Sequence, residues 1–328
     1  MPAPTRRAFA CSLATLPWLA SSPARGADAW PQRPLRWLVG FPPGSSPDTT
    51  ARWLAEPLAA ALGQPVIVDN RPGAGGNLAA TLVAQARDGH TLGLMINGNL
   101  TTARLLNPAT AYDPARDLAP VSLLVVAPLV LVVSAPLAAG GPDAFADAAR
   151  RAGDRWNHGS PGVGTFAHLG AALLQRALGA SSVHVPYAGN PQVVQALLAG
   201  DLQWALLPPG VAATALQGGR LAALGVTSAG RSALMPSVPP LAALCWDVPP
   251  LEVWNAVAMP RAQPTAHVQR VASALADAVR QPAVRERLLA QGWTVAGTAP
   301  EALARRMRDE TARLGDAIRA LRLALPPR

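Results

Sequence analysis

Two hydrophobic periods alternate along this sequence, and the alternation narrows the available folds more than any other feature. Residues 35–41 (LRWLVGF) form a short apolar run that ends in a Gly/Pro/Ser stretch, which predicts a strand entering a loop. Apolar residues then recur at helical spacing at Ala51, Leu54, Leu58, Ala61 and Leu62. Residues 65–69 and 91–96 read as strands with a helix over 77–86 between them. This strand–helix–strand–helix–strand order is the pattern of a parallel sheet covered by helices. A second run follows, with helices at 142–152, 165–178 and 192–198 and strands at 155–158, 182–186, 202–207 and 221–227. A strand at 254–259 and helices at 265–280, 283–291 and 300–324 close the chain. Residues 121–137 (VSLLVVAPLVLVVSAPL) could be mistaken for a membrane span. Pro128 and Pro136 interrupt them and β-branched residues dominate, so two buried strands are expected instead. The expectation is an α/β chain of two units, in keeping with 328 residues at roughly 150 per domain.

Composition then removes whole classes of chemistry. All 28 basic residues are arginine, so no lysine is present to serve a Walker A loop or to form a Schiff base. Histidines stand at 90, 158, 168, 184 and 267, in no metal-binding spacing, and no cysteine cluster exists; neither a metal nor a cofactor is expected. The arginines are scattered, and the densest stretch, 305–310, is mixed with acids, which reads as a solvated helix face and argues against a nucleic-acid partner.

The N-terminus addresses the compartment. Arg6 and Arg7 precede a short apolar run, and Ala27-Asp28-Ala29 fits a small-residue cleavage site, so residues 1–29 are expected to be a secretory signal, with Arg6-Arg7-Ala8-Phe9 resembling the twin-arginine type. The apolar run is well short of the roughly 20 residues a membrane helix needs. Removing this segment takes the formal charge from +9 to about +7 and leaves Cys245 as the one remaining cysteine, expected to be a buried apolar residue.

Two loops carry the candidate chemistry. In residues 40–50 (GFPPGSSPDTT) a strand ends, a small-residue loop follows, and a helix begins with Ser46 as N-cap and Pro47 at its first position. Backbone N–H groups and serine hydroxyls at a helix start suit a carboxylate or phosphate. Residues 157–168 (NHGSPGVGTFAH) repeat the arrangement, with Thr165 as cap. Each loop alone is explained equally well by a capped turn without a ligand. Both, however, lie at the C-terminal ends of strands, where open α/β sheets bind ligands. The stretch 159–162 lacks the first glycine of a nucleophile elbow, because His158 stands there, and 73–78 lacks the third glycine of a dinucleotide fingerprint.

The sequence is similar to the Bug family, the TctC-like periplasmic receptors of tripartite tricarboxylate transporters, over its full length after the signal. The similarity rests on 30–36 (WPQRPLR), the FPPG loop with Asp48, 69–77 (DNRPGAGGN), 111–121 (AYDPARDLAPV), Gly159-Ser160 with Gly164-Thr165 and His168-Leu169, 184–189 (HVPYAG), 223–229 (ALGVTSA) and Arg231-Ser232. It implies a two-lobed, type II-like clamshell, each lobe a mostly parallel sheet flanked by helices. Lobe 1 would hold 30–128 plus 254–328 and lobe 2 would hold 129–253, with hinge crossings near 129–134 and 254–259. It further implies a monomeric binding protein, not an enzyme, that captures a small organic carboxylate and meets the transporter's membrane subunits. The two loops would face each other across the cleft and hold the carboxylate through amides, hydroxyls and water. The residues implied for the site are Phe41, Pro43, Gly44, Ser45, Ser46, Asp48, Asn97, Ser160, Val163, Gly164, Thr165, His168, Tyr187 and Leu207.

Two departures from the family pattern bear on the ligand. The usual glycine run of the first loop is Gly44-Ser45-Ser46-Pro47 here, and Leu207, followed by Pro208-Pro209, takes the place where many amino-acid-binding relatives carry an Asp. A ligand ammonium group would have no partner there, so an anion without one is expected. Two competing functions stay open: a hydrolase using Ser160 and His168, or Asp48 with a histidine, and an orphan receptor for a signalling partner.

Overall fold

The computed structural model describes Met1 and residues 30–321; the signal-peptide expectation lies outside the described residues. The chain from Pro31 onward is one compact unit. It opens with β1 (Leu35–Val39), α1 (Ser46–Leu62), β2 (Val66–Asn70), α2 (Asn77–Gln85) and β3 (Thr91–Ile96). Three single-turn helices, α3 (Asn97–Leu100), α4 (Ala103–Leu106) and α5 (Pro114–Asp117), lead to β4 (Leu118–Pro128). Then follow β5 (Val130–Ser134), α6 (Ala135–Ala138), α7 (Gly141–Ala152), β6 (Asn157–Ser160), α8 (Phe166–Leu178) and β7 (Val183–Pro186). The middle of the chain continues through α9 (Asn190–Ala199), β8 (Trp204–Leu207), α10 (Pro209–Leu216) and β9 (Leu221–Val226). It ends with β10 (Glu252–Pro260), α11 (Thr265–Arg280), α12 (Pro282–Ala290), β11 (Thr294–Val295) and α13 (Pro300–Leu321).

The strands form two sheets, ordered β2-β1-β3-β10-β4-β11 and β7-β6-β8-β5-β9. The two-lobed α/β architecture is as expected, but the sheets are mixed. β1 pairs parallel with β2 and β3, and β6 with β7 and β8. β10 runs antiparallel between β3 and β4, and β5 antiparallel between β8 and β9. The cause is connectivity. β4 passes into β5 through Leu129 alone, so the chain enters the second sheet without turning back, whereas it returns to the first at β10 only after the long connection 227–251.

Those two crossings are tied at one residue. Thr227, just after β9, donates its N–H to Leu129 O (2.8 Å) and accepts from Leu251 N through its own carbonyl (2.9 Å). Its hydroxyl accepts from Leu129 N (2.8 Å) and donates to Leu251 O (2.7 Å). Every polar group of the buried threonine is thus spent on holding the outgoing and returning strands together.

Helix α1 shows how local sequence fixes an element. Pro47 stands in its first turn, Ala51, Leu54, Leu58 and Leu62 form its buried stripe, and Gly63 ends it in the left-handed region at φ 75° with its N–H on Ala59 O. Its N-cap is Ser45 rather than the expected Ser46, and the Ser45 side chain makes no capping bond. The long helix α13 spans two cores. Leu303 and Met307 pack with Leu38, Met95 and Trp254 against the first sheet, whereas Leu314 and Ile318 join Leu131, Phe166 and Leu174 against the second. Twenty-two residues of helix extend about 33 Å, enough to reach both. Cys245 is exposed, not buried: it adopts φ 58° to end the 3-10 turn at Leu241–Leu244, and the neighbouring Trp246 takes the interior position.

Replacing Thr227 with Val keeps the branched shape and removes the hydroxyl. It is expected to lower stability by about 1–3 kcal/mol for each backbone group left buried and unpaired, measured as the shift in urea midpoint. An unchanged midpoint would show that the crossings hold without this tie.

Candidate functional site

Strand β1 delivers the first loop. Asp48, 2% exposed, lies under it and organises it. Its carboxylate accepts from Gly44 N (2.9 Å), Asn70 Nδ2 (2.8 Å) and Arg52 Nε (3.0 Å to each oxygen). Asn70 Nδ2 also donates to Phe41 O (2.9 Å), and Arg52 donates to Asn70 Oδ1 (3.0 Å). Burial pushes the Asp48 carboxyl up, but the bonds from Arg52, Gly44 and Asn70 outweigh it and hold the group below the ordinary carboxylate range. Gly44 sits at φ 79°, a conformation that leaves its N–H turned to Asp48.

Strand β6 delivers the second loop. Ser160 Oγ donates to Gly162 O (3.1 Å) and accepts from Gly162 N (3.2 Å), while Thr165 Oγ1 donates to Gly162 O (2.8 Å) and accepts from His168 N (3.4 Å) as the α8 cap. Behind this loop three imidazoles stack: His168 on His184 (4.3 Å between centroids), His184 on His158 (5.1 Å), and His158 on Trp204 (4.7 Å). Burial first, then the neighbouring histidines, push His158 down to about 3 and His184 down to about 4; burial lowers His168. Ser160 Oγ lies 2.7 Å from His184 Nε2. Ser160 is fully buried and forms no part of the cavity wall described next, so the pair is structural.

The loops meet across a cavity of about 50 Å3, room for a few water-sized groups. From the first sheet's side come Phe41, Ser45, Ile96, Asn97, Asn255 and Trp293; from the second's come Pro161, Thr165, Phe166, Asn190 and Pro208. Among the described residues, no charged side chain lines it. Three helices, α1, α8 and α9, begin at its wall, each aiming first-turn N–H groups and the positive end of its dipole there. Three residues of this wall each have a buried side-chain atom without a hydrogen-bond partner: Ser45 Oγ, Asn97 Oδ1 and Asn190 Oδ1. An unpaired buried polar atom costs about 1–3 kcal/mol, so these three concentrate a local cost around the cavity.

The expected site residues separate into groups. Phe41, Ser45, Ser46, Asn97 and Thr165 line the cavity. Val163, Gly164 and Tyr187 line a second hollow of about 320 Å3 together with Gly75 and Asn77. Pro43 and Gly44 supply loop backbone, and Asp48, Ser160 and His168 brace the two loops from behind. Leu207 is buried in the second core with Val130, Val132 and Ala205, and the next residue, Pro208, reaches the cavity. Sequence reasoning missed Asn190, Asn255 and Trp293. Asn190 was findable, because Gly189-Asn190-Pro191 opens α9 as a third strand–loop–helix junction; Asn255 and Trp293 lie in a strand and a loop with no local signature.

The lobes touch through backbone. A Cβ on Gly98 would lie 2.6 Å from Gly164 O, and one on Gly75 would lie 2.7 Å from Val163 O. Side chains at either position would hold the two loops apart.

Residues 50–323 match the tripartite tricarboxylate transporter family receptor, TctC. The chain is 36% identical over 311 residues to the UPF0065 protein of the tcbD–tcbE intergenic region of a Pseudomonas strain, covering 94% of this chain and 92% of that one. Among solved structures it resembles MatC from Rhodopseudomonas palustris, determined with bound malate, at 31% identity and a TM-score of 0.84, covering 88% of this chain and 100% of the other. It also resembles a second R. palustris protein, determined with adipate, at 27% identity and a TM-score of 0.84, covering 89% and 98%.

The histidine cluster fixes a pH dependence. In the unfolded chain these imidazoles take up protons near their ordinary pKa of 6.5, whereas folded His158 and His184 resist down to about 3 and about 4. The unfolded state therefore binds more protons throughout that window, and stability is expected to fall steadily as pH drops from about 6.5 toward 4. Thermal melts across that range should show a declining midpoint, made shallower by His184→Asn; a flat midpoint in the original protein would contradict the neutral, buried assignment.

Proposed function

This chain belongs to the tripartite tricarboxylate transporter receptor family, TctC, and from that premise we propose that it captures a small organic carboxylate unchanged between its lobes. The proposed setting is the periplasm, reached through the signal at residues 1–29, with membrane subunits of such a transporter receiving the closed, loaded form. The family and its structural neighbours are solute-binding proteins, not enzymes. One observation supports the carboxylate assignment: three helix N-termini converge on an interlobe cavity with no charged side chain among the described residues of its wall. Amide dipoles and hydroxyls stabilise an anion without requiring a counter-ion, and the geometry needs no base or nucleophile. The malate and adipate bound by the two similar structures support the same ligand class.

Four or five charge-assisted hydrogen bonds, at about 1.5–3 kcal/mol each, exceed the ~4 kcal/mol or more lost on immobilising a ligand, which makes micromolar affinity attainable. With 129–253 as the lobe that closes on the remainder and Leu129 and Leu251 at the crossings, the backbone contacts at Gly75 and Gly98 belong to the shut cleft in this reading.

A panel of mono-, di- and hydroxycarboxylates in thermal-shift titration, with native mass spectrometry of the complex, is expected to give ligand-dependent stabilisation and an intact bound ligand. No stabilisation by any carboxylate would overturn the function. Gly98→Ala should weaken binding of the same ligand by about tenfold without touching it, because the added methyl obstructs closure at Gly164 O. Unaltered affinity would show that closure does not bring these backbones together.

A further inference from the structure

Helix α13 does more than cover two cores. Four of its side chains, spread over two successive turns, fasten it to the first lobe and to the strand that returns there. Arg306 Nη2 donates to Glu252 Oε2 (3.0 Å), and the buried Glu310 carboxylate accepts from Trp254 Nε1 (3.1 and 3.2 Å). Thr311 Oγ1 donates to Thr101 O (3.3 Å), and Arg313 Nη1 donates to Pro250 O (3.1 Å). Successive residues of a strand face opposite sides, so Glu252 and Trp254 turn toward α13 while Val253 and Asn255 line the cavity. The helix is thus fixed to the back of the strand whose front is cavity wall.

Gly315 follows this fastened stretch. Leu314 beside it, and Ala317 and Ile318 beyond it, pack into the second core. A glycine inside a helix lowers stability relative to alanine, and elsewhere in this chain packing explains it. A Cβ on Gly170 of α8 would lie 2.8 Å from Leu206 Cδ1, and one on Gly210 of α10 would collide with Gln291. A Cβ on Gly315 would meet only the flexible end of Arg319, one turn on, at an ordinary 3.4 Å. Gly315 lies inside a continuous helix and has no positive φ, so neither packing nor backbone geometry requires glycine there. What distinguishes the position is its place between a stretch held by the first lobe and a stretch held by the second.

We propose that α13 is a strap across the back of the cleft with its flex point at Gly315, so that opening the lobes bends the helix there and the straight helix favours the shut form. The inference rests on the closing lobes of the function proposed above.

Paired spin labels test it without any ligand. In the mature protein carrying Cys245→Ser, the substitutions Gln85→Cys on α2 and Gln195→Cys on α9 place one exposed label on each lobe. Distance distributions of the unliganded protein are expected to show a short and a long population. Gly315→Ala should lower the long population about two- to fivefold relative to the short one, the effect of restoring a good helix former at a bend. With Ile318→Ala the far end of α13 is released from the second core, and Gly315→Ala should then leave the populations unchanged. A single unvarying distance would overturn the proposal. So would a higher urea midpoint for Gly315→Ala with unchanged populations, or the same shift with and without Ile318→Ala. The ligand reading is judged separately by the carboxylate panel: binding with populations that ignore position 315 removes the strap alone, and a population shift without binding removes the carboxylate alone. The comparison at position 315 decides the matter even if the Ile318 variant does not fold.

Discussion

The rest of the structure depends on the four hydrogen bonds that Thr227 makes to Leu129 and Leu251. Two lobes joined by crossing strands need those strands to act as one unit, or the cleft has no defined geometry. Thr227 meets that need with its N–H, its carbonyl and both functions of its hydroxyl, leaving no buried backbone group orphaned at the crossing. The strands β5 and β10, each the first of its sheet after a crossing, run antiparallel to both neighbours. The ligand loops project from β1 and β6 toward each other. α13 adds a second link, since its first half packs on one core and its second half on the other.

The cavity reverses what the composition suggests. A chain with 28 arginines and a net charge of +9 would be expected to meet an anion with guanidinium groups, yet none lines the cavity. The arginine nearest the first loop, Arg52, is engaged by Asp48 and Asn70, and its role is to stiffen the turn. The proposed capture by helix termini and hydroxyls has a physical advantage in a clamshell. Fixed backbone dipoles require no reorganisation on binding and leave no desolvated cation when the ligand departs.

Much of this was legible in the sequence. Residues 91–96 and 265–280 coincide with β3 and α11, because an apolar run between turns and a long amphipathic stripe both report their own conformation. The split of 121–137 into two strands also held, for the proline at 128 marks where the chain leaves one sheet. The two ligand loops were recognisable as helix entries rich in small residues. What local pattern could not convey was which side of each loop a side chain serves. Asp48 and His168 have the residue types of a site and act as braces, whereas Asn190, which looks like an ordinary first-turn residue, reaches the cavity. Cys245 was misjudged for a related reason: residue type predicts burial only on average, and the left-handed turn at that position places it outside.

By itself, then, the sequence determined the alternation of elements, the two loop-to-helix junctions and the membership of a receptor family, because each is encoded in contiguous residues. Tertiary structure alone decided the direction of the polar groups. Asn97 is oriented by the bond its Nδ2 donates to the Glu252 carbonyl, 155 residues away. Ser45 keeps its hydroxyl free because the cap it could have formed is not made. Partners so distant in sequence have no periodicity to betray them, and only packing brings them within hydrogen-bond reach.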